Sequence, residues 1–149
     1  MSSVTWKPYV WPNLCRATFE EFQEIEALWG VSLPEDYKKV AAMYQGCTPH
    51  PNGITVLDGT TGVGILLTVS TNSTMPEESV QWAYDFLREH IPPGLYPFAR
   101  NIGSNYFCFD YRQTPRNPRI VFIFPEGEGE DAILFVADNF TRFLDSLKD

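Results

Sequence analysis

Histidine and cysteine are scarce in this sequence, and their spacing excludes the common metal and disulfide frameworks. Cysteine occurs only at Cys15, Cys47 and Cys108, and an odd number at wide spacing is typical of neither a disulfide scaffold nor a zinc knuckle. Histidine occurs only at His50 and His90, so no HxxxH, HxxE or CxxC arrangement is present to hold zinc. We therefore expect neither a cofactor nor a metal site.

Long apolar runs and basic residues are also in short supply. No segment approaches the ~20 apolar residues that cross a bilayer, and the first residues lack the apolar core of a signal peptide. The 11 Lys and Arg residues face 19 Asp and Glu residues, which gives a formal net charge of -8. This charge repels phosphate backbones and anionic membranes but attracts a basic protein. We expect a cytoplasmic protein that binds neither nucleic acid nor membrane.

Two common catalytic signatures are missing as well. There is no G-x-S-x-G nucleophile elbow, so no motif in the sequence supports a hydrolase of the α/β class. The glycine-rich residues 59–64 resemble a phosphate loop, but they lack its Lys and Ser/Thr ending and no helix is predicted after them. A hairpin turn is the better interpretation of these glycines.

The composition favours one folded domain. The chain has 149 residues, of which 44% are hydrophobic and 15% aromatic, and this supplies a core without disulfides or metals. No repeat or low-complexity tract divides it. We predict a single domain over residues 1–149, in which the aromatics of residues 1–16 pack this N-terminal segment onto the body as an arm.

Capping signals and apolar spacing predict four helices. Thr18 and Glu21 have the form of a capping box before an apolar stripe that Gly30 ends. A second helix, capped by Ser32, ends at Gly46. A third is predicted over residues 76–90, where His90 in the last turn interacts favourably with the helix carbonyls. The last, capped by Asp138 or Asn139, carries Phe140, Phe143, Leu144 and Leu147.

Runs of β-branched and aromatic residues predict strands between these helices. Residues 54–57 and 64–69 form a hairpin through a connection at 58–62. Three further strands are predicted over residues 106–112, 119–124 and 132–136. The fold class is therefore α+β, with a mostly antiparallel sheet of five or six strands, helices packed on one side and the last helix closing it.

The strand at residues 106–112 has two different faces. Because side chains alternate along a strand, Phe107, Phe109 and Tyr111 share one side, and Tyr106, Cys108 and Asp110 share the other. We expect the second face to be partly open, which makes Tyr106 and Asp110 candidate contacts for a protein partner.

The sharpest surface signal is an acidic tip formed by Glu126, Glu128, Glu130 and Asp131. Alternation with glycine predicts a flexible connection whose carboxylates point outward. A solvated tip and a contact for a basic partner both fit this pattern, and a calcium loop would need ligands at six spaced positions. Nearby, Arg112, Arg116 and Arg119 can offset the acids or pair across strands. RNA binding would need more interleaving of basic and aromatic residues.

Several soft motifs resemble the SUKH superfamily, which includes yeast Smi/Knr cell-wall regulators and many bacterial immunity proteins. Residues 33–37 (LPEDY) are similar to the family's "LPxxY" start of the second helix. Residues 97–99 (PFA) followed by Gly103 are similar to its turn, and residues 108–111 (CFDY) to its central strand. Residues 137–144 (ADNFTRFL) are similar to its final helix. The resemblance covers nearly the whole chain after Arg16 and supports the α+β fold.

The resemblance implies a protein-binding domain with no chemical step of its own. The typical member is an immunity protein that neutralises a cognate toxin, often a nuclease, by stoichiometric binding. Such a partner is basic, and the candidate contacts toward it are the acidic tip, Tyr106 and Asp110. A regulatory scaffold of the Smi/Knr kind remains an alternative. So does an enzyme or small-ligand binder whose polar residues converge only in three dimensions.

Overall fold

The computed structural model describes residues 4–57, 59–124 and 129–149. Strands between residues 53 and 137 form an antiparallel sheet. A separate two-stranded ribbon pairs β1 (Thr5–Pro8) with β2 (Cys47–His50). Within the described residues, the main sheet has six strands in chain order: β3 (Gly53–Val56), β4 (Gly59–Leu66), β5 (Leu95–Asn101), β6 (Tyr106–Asp110), β7 (Arg119–Ile123) and β8 (Ile133–Ala137). The α+β class and the antiparallel sheet are confirmed.

The helices begin and end at local signals in the sequence. They are α1 (Phe19–Trp29), α2 (Glu35–Tyr44), α3 (Val80–Leu87) and α4 (Phe140–Asp145). The predicted capping box of α1 is present, with Thr18 and Glu21 bonded to each other's backbone N–H groups. Asn139 caps α4. The predicted Ser32 cap of α2 is wrong, because that helix starts after Pro34 without a side-chain cap.

The third predicted helix is divided into two parts. Pro76–Glu78 forms a 3-10 turn, and α3 starts only at Val80, where the Ser79 hydroxyl accepts from the Trp82 N–H at 3.1 Å. The helix ends at Leu87, so His90 lies in the following turn and not in the last helical turn. The cap at Ser79 explains the late start, since its extended backbone interrupts the helix there.

β5 is a strand that periodicity does not predict, although it lies inside the sheet between β4 and β6. It contains Pro97, which has no N–H to donate to a neighbouring strand. The register against β6 shifts between Pro97 and Ala99, so an irregularity in the ladder accommodates the proline. The predicted hairpin is present, but β4 already begins at Gly59, and Asp58 lies outside the described residues.

Helices α1, α2 and α4 pack on one face of the sheet, around the buried ring of Tyr37 on α2. The Tyr37 ring lies edge-on to Phe98 and Phe109 of the sheet, with centroids 6.0 and 5.0 Å away. It also meets Phe140 of α4 at 5.5 Å and Phe22 of α1 at 6.3 Å. Edge-to-face pairs of this kind add to the free energy gained by burying the rings. The core therefore joins three helices to the central strands.

Two contacts tie peripheral segments to this core. The ribbon strand β1 carries Trp6, which stacks on Tyr44 of α2 at 5.6 Å. At the sheet edge, Gly53 of β3 exchanges two backbone hydrogen bonds with Lys148, at 2.8 and 2.9 Å. The division into one domain with an arm over residues 1–16 stays a prediction. None of the helices in residues 4–57, 59–124 and 129–149 has the length and apolar character of a membrane span.

Candidate interaction surface

Two tertiary contacts hold the start of α3 against the second face of the sheet. Arg100 on β5 pairs in register with Tyr106 on β6, so both side chains belong to this face. The Arg100 guanidinium donates to both carboxylate oxygens of Glu78, at 2.8 and 2.7 Å. The Thr68 backbone also bonds Glu78 and Val80, at 2.9 and 2.8 Å. A bidentate ion pair and a short backbone bridge thus fix the start of α3.

A row of rings runs along the outer side of α3 and into the turn after it. Trp82 and Phe86 are stacked, with centroids 5.6 Å apart and planes inclined by 9°. The Phe86 ring lies 6.0 Å from that of His90. Trp82 is 43% exposed and Phe86 53% exposed, whereas the inner side of the helix is buried. Side chains four residues apart share one side of a helix, which explains the row.

A groove separates this row from the sheet. Its larger part has a volume of about 600 Å³ and its smaller part about 400 Å³. The two parts share Phe86, Ser104 and Tyr106 in their walls, so they lie next to each other along α3. We call the two parts together the α3 groove and define it by Trp82, Phe86, His90, Ser104, Tyr106 and Phe124.

The rim of the α3 groove carries more acidic than basic charge among the described residues. Glu77 lines the smaller part. At the larger part, the exposed Asp131 directly precedes Ala132, a lining residue. The cation in the lining is Arg100, whose charge is balanced by Glu78 at 2.7 Å. The potential at the groove therefore favours a cationic ligand.

The structure buries two of the predicted partner contacts. Tyr106 is 5% exposed and Asp110 only 2% exposed, so the expectation that they lie on an open face is wrong. The alternation of side chains along β6 assigns Tyr106 and Asp110 to the correct face of the sheet. That face is covered, however, by α3 and by the side chains around Asp110. Tyr106 lies in the wall of the α3 groove, and Asp110 lies elsewhere on the face as part of an ion network.

Asp110 accepts hydrogen bonds from two arginines. Arg112 donates its backbone N–H and two guanidinium nitrogens, and Arg119 donates its Nε, all at 3.0 Å. Burial alone raises the pKa of Asp110, but these hydrogen bonds outweigh burial and hold the pKa below its ordinary value. The prediction that the arginines pair with nearby acids is confirmed for Arg112 and Arg119. Asp110 thus has a structural role that sequence reasoning missed.

The acidic tip is described only in part. Glu126 and Glu128 lie outside the described residues, so their predicted placement is not tested. Glu130 is exposed and accepts two hydrogen bonds from the Arg112 guanidinium, both at 2.7 Å. Asp131 is exposed on the 3-10 turn Gly129–Ala132. The two described acids therefore lie at the surface, between the Asp110 network and the α3 groove.

The remaining polar candidates do not converge. His50 ends β2 and is exposed, and its carbonyl accepts from the Thr5 hydroxyl at 3.4 Å. In residues 4–57, 59–124 and 129–149 no three His, Cys, Asp or Glu side chains come close enough to hold a metal ion. Sequence reasoning missed the aromatic row as a sign of an interaction surface. Trp82 and Phe86 lie on the outer side of α3, where polar residues are expected. The inner side carries Val80, Ala83 and Leu87.

The comparison with protein families decides the assignment. The family described as SMI1 / KNR4 family (SUKH-1) matches residues 16–146. The chain belongs to the SUKH-1 family. This confirms the resemblance found in the motifs, and the match includes the α3 groove and the Asp110 network of this SUKH-1 chain. A search of curated proteins found no match.

Proposed function

We propose that this SUKH-1 chain is an immunity protein that neutralises a cognate toxin by binding it stoichiometrically. Family membership supports a domain of the immunity or Smi/Knr type. The observation that carries the proposal is the α3 groove, where an exposed aromatic row lies near the exposed carboxylates of Glu77 and Asp131 on a protein of net charge -8. Exposed aromatics surrounded by polar groups are typical of protein interfaces.

The proposed mechanism has no chemical step. The toxin in this proposal is a nuclease, as the family resemblance implies, so its substrate bears phosphates and its own site is basic. The negative potential of the chain speeds the encounter, and aromatic side chains then hold the complex. The toxin is inhibited because its substrate cannot reach the covered site. This proposal includes the absence of enzymatic activity and a cytoplasmic location.

The test is a direct assay of neutralisation. A candidate toxin domain encoded next to this chain is expressed with and without it, and growth is measured. We expect growth to be rescued and a 1:1 complex to be isolated from the co-expressing cells. A chain that rescues growth without forming a complex would contradict stoichiometric binding. A complex only with an endogenous protein, and no rescue, would favour the regulatory role of the Smi/Knr type.

We predict that the acidic tip contributes steering. Replacing Glu126, Glu128 and Glu130 by glutamine and Asp131 by asparagine should slow association with the toxin about tenfold at low salt, because four attractive charges are removed. Stopped-flow measurement at two salt concentrations checks this, since the difference should shrink as salt screens the charges.

A variant with the same net charge separates local from global effects. Glu20, Glu24, Asp138 and Asp145 are exposed acids outside the tip, and their amide replacements remove the same four charges. This control should slow association less than the tip variant does. Equal on-rates for the two variants would show that the tip has no special part in steering.

A further inference from the structure

We propose that the α3 groove binds an arginine-bearing segment of the partner. In this arrangement a guanidinium stacks on the Trp82–Phe86 rings, and an adjacent large apolar side chain enters the larger part of the groove. The inference rests on the proposed function, because it takes the partner to be a basic protein. It adds the location of the contact and the chemistry of the segment that fits there.

The first argument comes from the paired rings. The planes of Trp82 and Phe86 are inclined by only 9°, so the two rings stack as a pair along the side of α3. Both rings are exposed by 43% or more, which costs free energy in water unless a partner covers them. A planar guanidinium stacks on aromatic rings and is attracted to them, and Trp is the best ring for this contact.

The second argument comes from the larger part of the groove. Its walls include the apolar side chains of Leu87, Ile91, Ile123 and Phe124, and its volume is about 600 Å³. Ser104 and Asn105 supply polar groups at one side. Depressions of this size with mostly apolar walls and a few polar groups are typical of binding sites. A large apolar side chain therefore fits the larger part, while Trp82 lies along the smaller part.

The third argument is charge, and it selects the partner. Glu77 lies at the smaller part, and Asp131 lies next to the larger part. Arg100 is already neutralised by Glu78, so it does not offset these carboxylates. A second copy of this chain would bring another net charge of -8 to the same surface. Electrostatic complementarity thus favours a basic segment over self-association.

The experiment is a selection of peptides against the whole chain. A random 12-residue library is panned on the wild-type protein, with counter-selection on the double variant Trp82→Ala/Phe86→Ala. We expect the enriched peptides to carry Arg within two positions of Trp, Phe or Leu. Their Kd should rise at least tenfold on the double variant, and replacing the peptide's Arg by Lys should weaken binding several-fold.

Matched controls keep the result interpretable. Phe19 on α1 is 70% exposed, so Phe19→Ala removes an exposed ring outside the groove and should leave the Kd unchanged. Melting temperatures show whether the variants fold. A second readout needs no variant: an enriched peptide added to the wild-type protein should shift the amide NMR signals of Ser104 and Asn105 in the groove wall.

Several outcomes would overturn the inference. Enriched peptides without Arg would do so, and so would a Kd that is the same for the wild type and the double variant. A dimer of the wild-type chain that Trp82→Ala dissociates would show that a second copy occupies the groove. A toxin neutralised equally by both proteins would overturn the inference and leave the proposed function intact. Peptide binding that depends on the groove, with no toxin neutralised, would support the inference about the groove and contradict the proposed function.

Discussion

Asp110→Asn is expected to lower the free energy of unfolding by about 3 kcal/mol, because it removes the charge that balances two guanidinium groups in a buried network. The Asp110 side chain is 1% exposed, and the Arg112 side chain 17% exposed. Asparagine keeps the size of the side chain, but it removes the carboxylate that pairs with Arg119 and leaves Arg112 paired with the exposed Glu130. Denaturant unfolding monitored by circular dichroism measures the change.

An exposed ion pair provides the control for Asp110. Asp85 and Arg88 lie 4.0 Å apart on the surface, with both side chains more than half exposed. Asp85→Asn should therefore cost no more than about 1 kcal/mol. Similar losses for the two variants would show that burial of the Asp110 network is unimportant for its contribution.

The contribution of Asp110 should also depend on pH. Its pKa is lower in the folded chain than in the unfolded one, so its ionised form stabilises the fold. This stabilisation is fully present above the ordinary Asp pKa of about 4 and is lost as the pH falls through the lowered folded value. The difference between wild type and Asp110→Asn should shrink over that range. A difference that grows in acid would contradict the assigned direction.

Gln45→Leu is expected to cost about 4 kcal/mol, because one buried amide makes four hydrogen bonds. Its Oε1 accepts from the N–H groups of Val69 and Ser70, at 2.8 and 3.0 Å. Its Nε2 donates to the Ser70 hydroxyl at 2.8 Å and to the Cys15 carbonyl at 3.1 Å. Leucine is apolar and leaves two buried donors unsatisfied, at roughly 1–3 kcal/mol each.

The control for Gln45 is the exposed Gln23 on α1. The same replacement there should change the free energy of unfolding by no more than about 0.5 kcal/mol. Urea unfolding of both variants makes the comparison. A small loss for Gln45→Leu would mean that water or rearranged side chains satisfy the backbone of residues 69 and 70 after the amide is removed.

The sequence was a good guide to two of the helix caps, for which the signal is local. The capping box at Thr18 and the cap at Asn139 involve neighbours within three residues, so they could be predicted. Gln45 shows what local reasoning misses. It directly follows α2, four residues after the buried Ala41, and its buried polar side chain needs distant partners. Those partners, Cys15 and Ser70, are brought to it only by the tertiary fold.

The candidate site was less accessible to prediction for the same reason. Alternation assigns Tyr106 and Asp110 to one face of β6, but it does not say what covers that face. The cover depends on Glu78 and Arg100, which are 22 residues apart and meet across the second face. The groove itself could have been suspected from Trp82 and Phe86, since large rings on the outer side of a helix are unusual.

The two backbone hydrogen bonds between Gly53 and Lys148 affect how this molecule can assemble. An edge strand with free N–H and C=O groups invites other strands to extend its sheet. At Gly53 those groups are already bonded to Lys148, and any added side chain at Gly53 would come within 2.8 Å of the Lys148 carbonyl. Growth of the sheet at this position of β3 is therefore blocked.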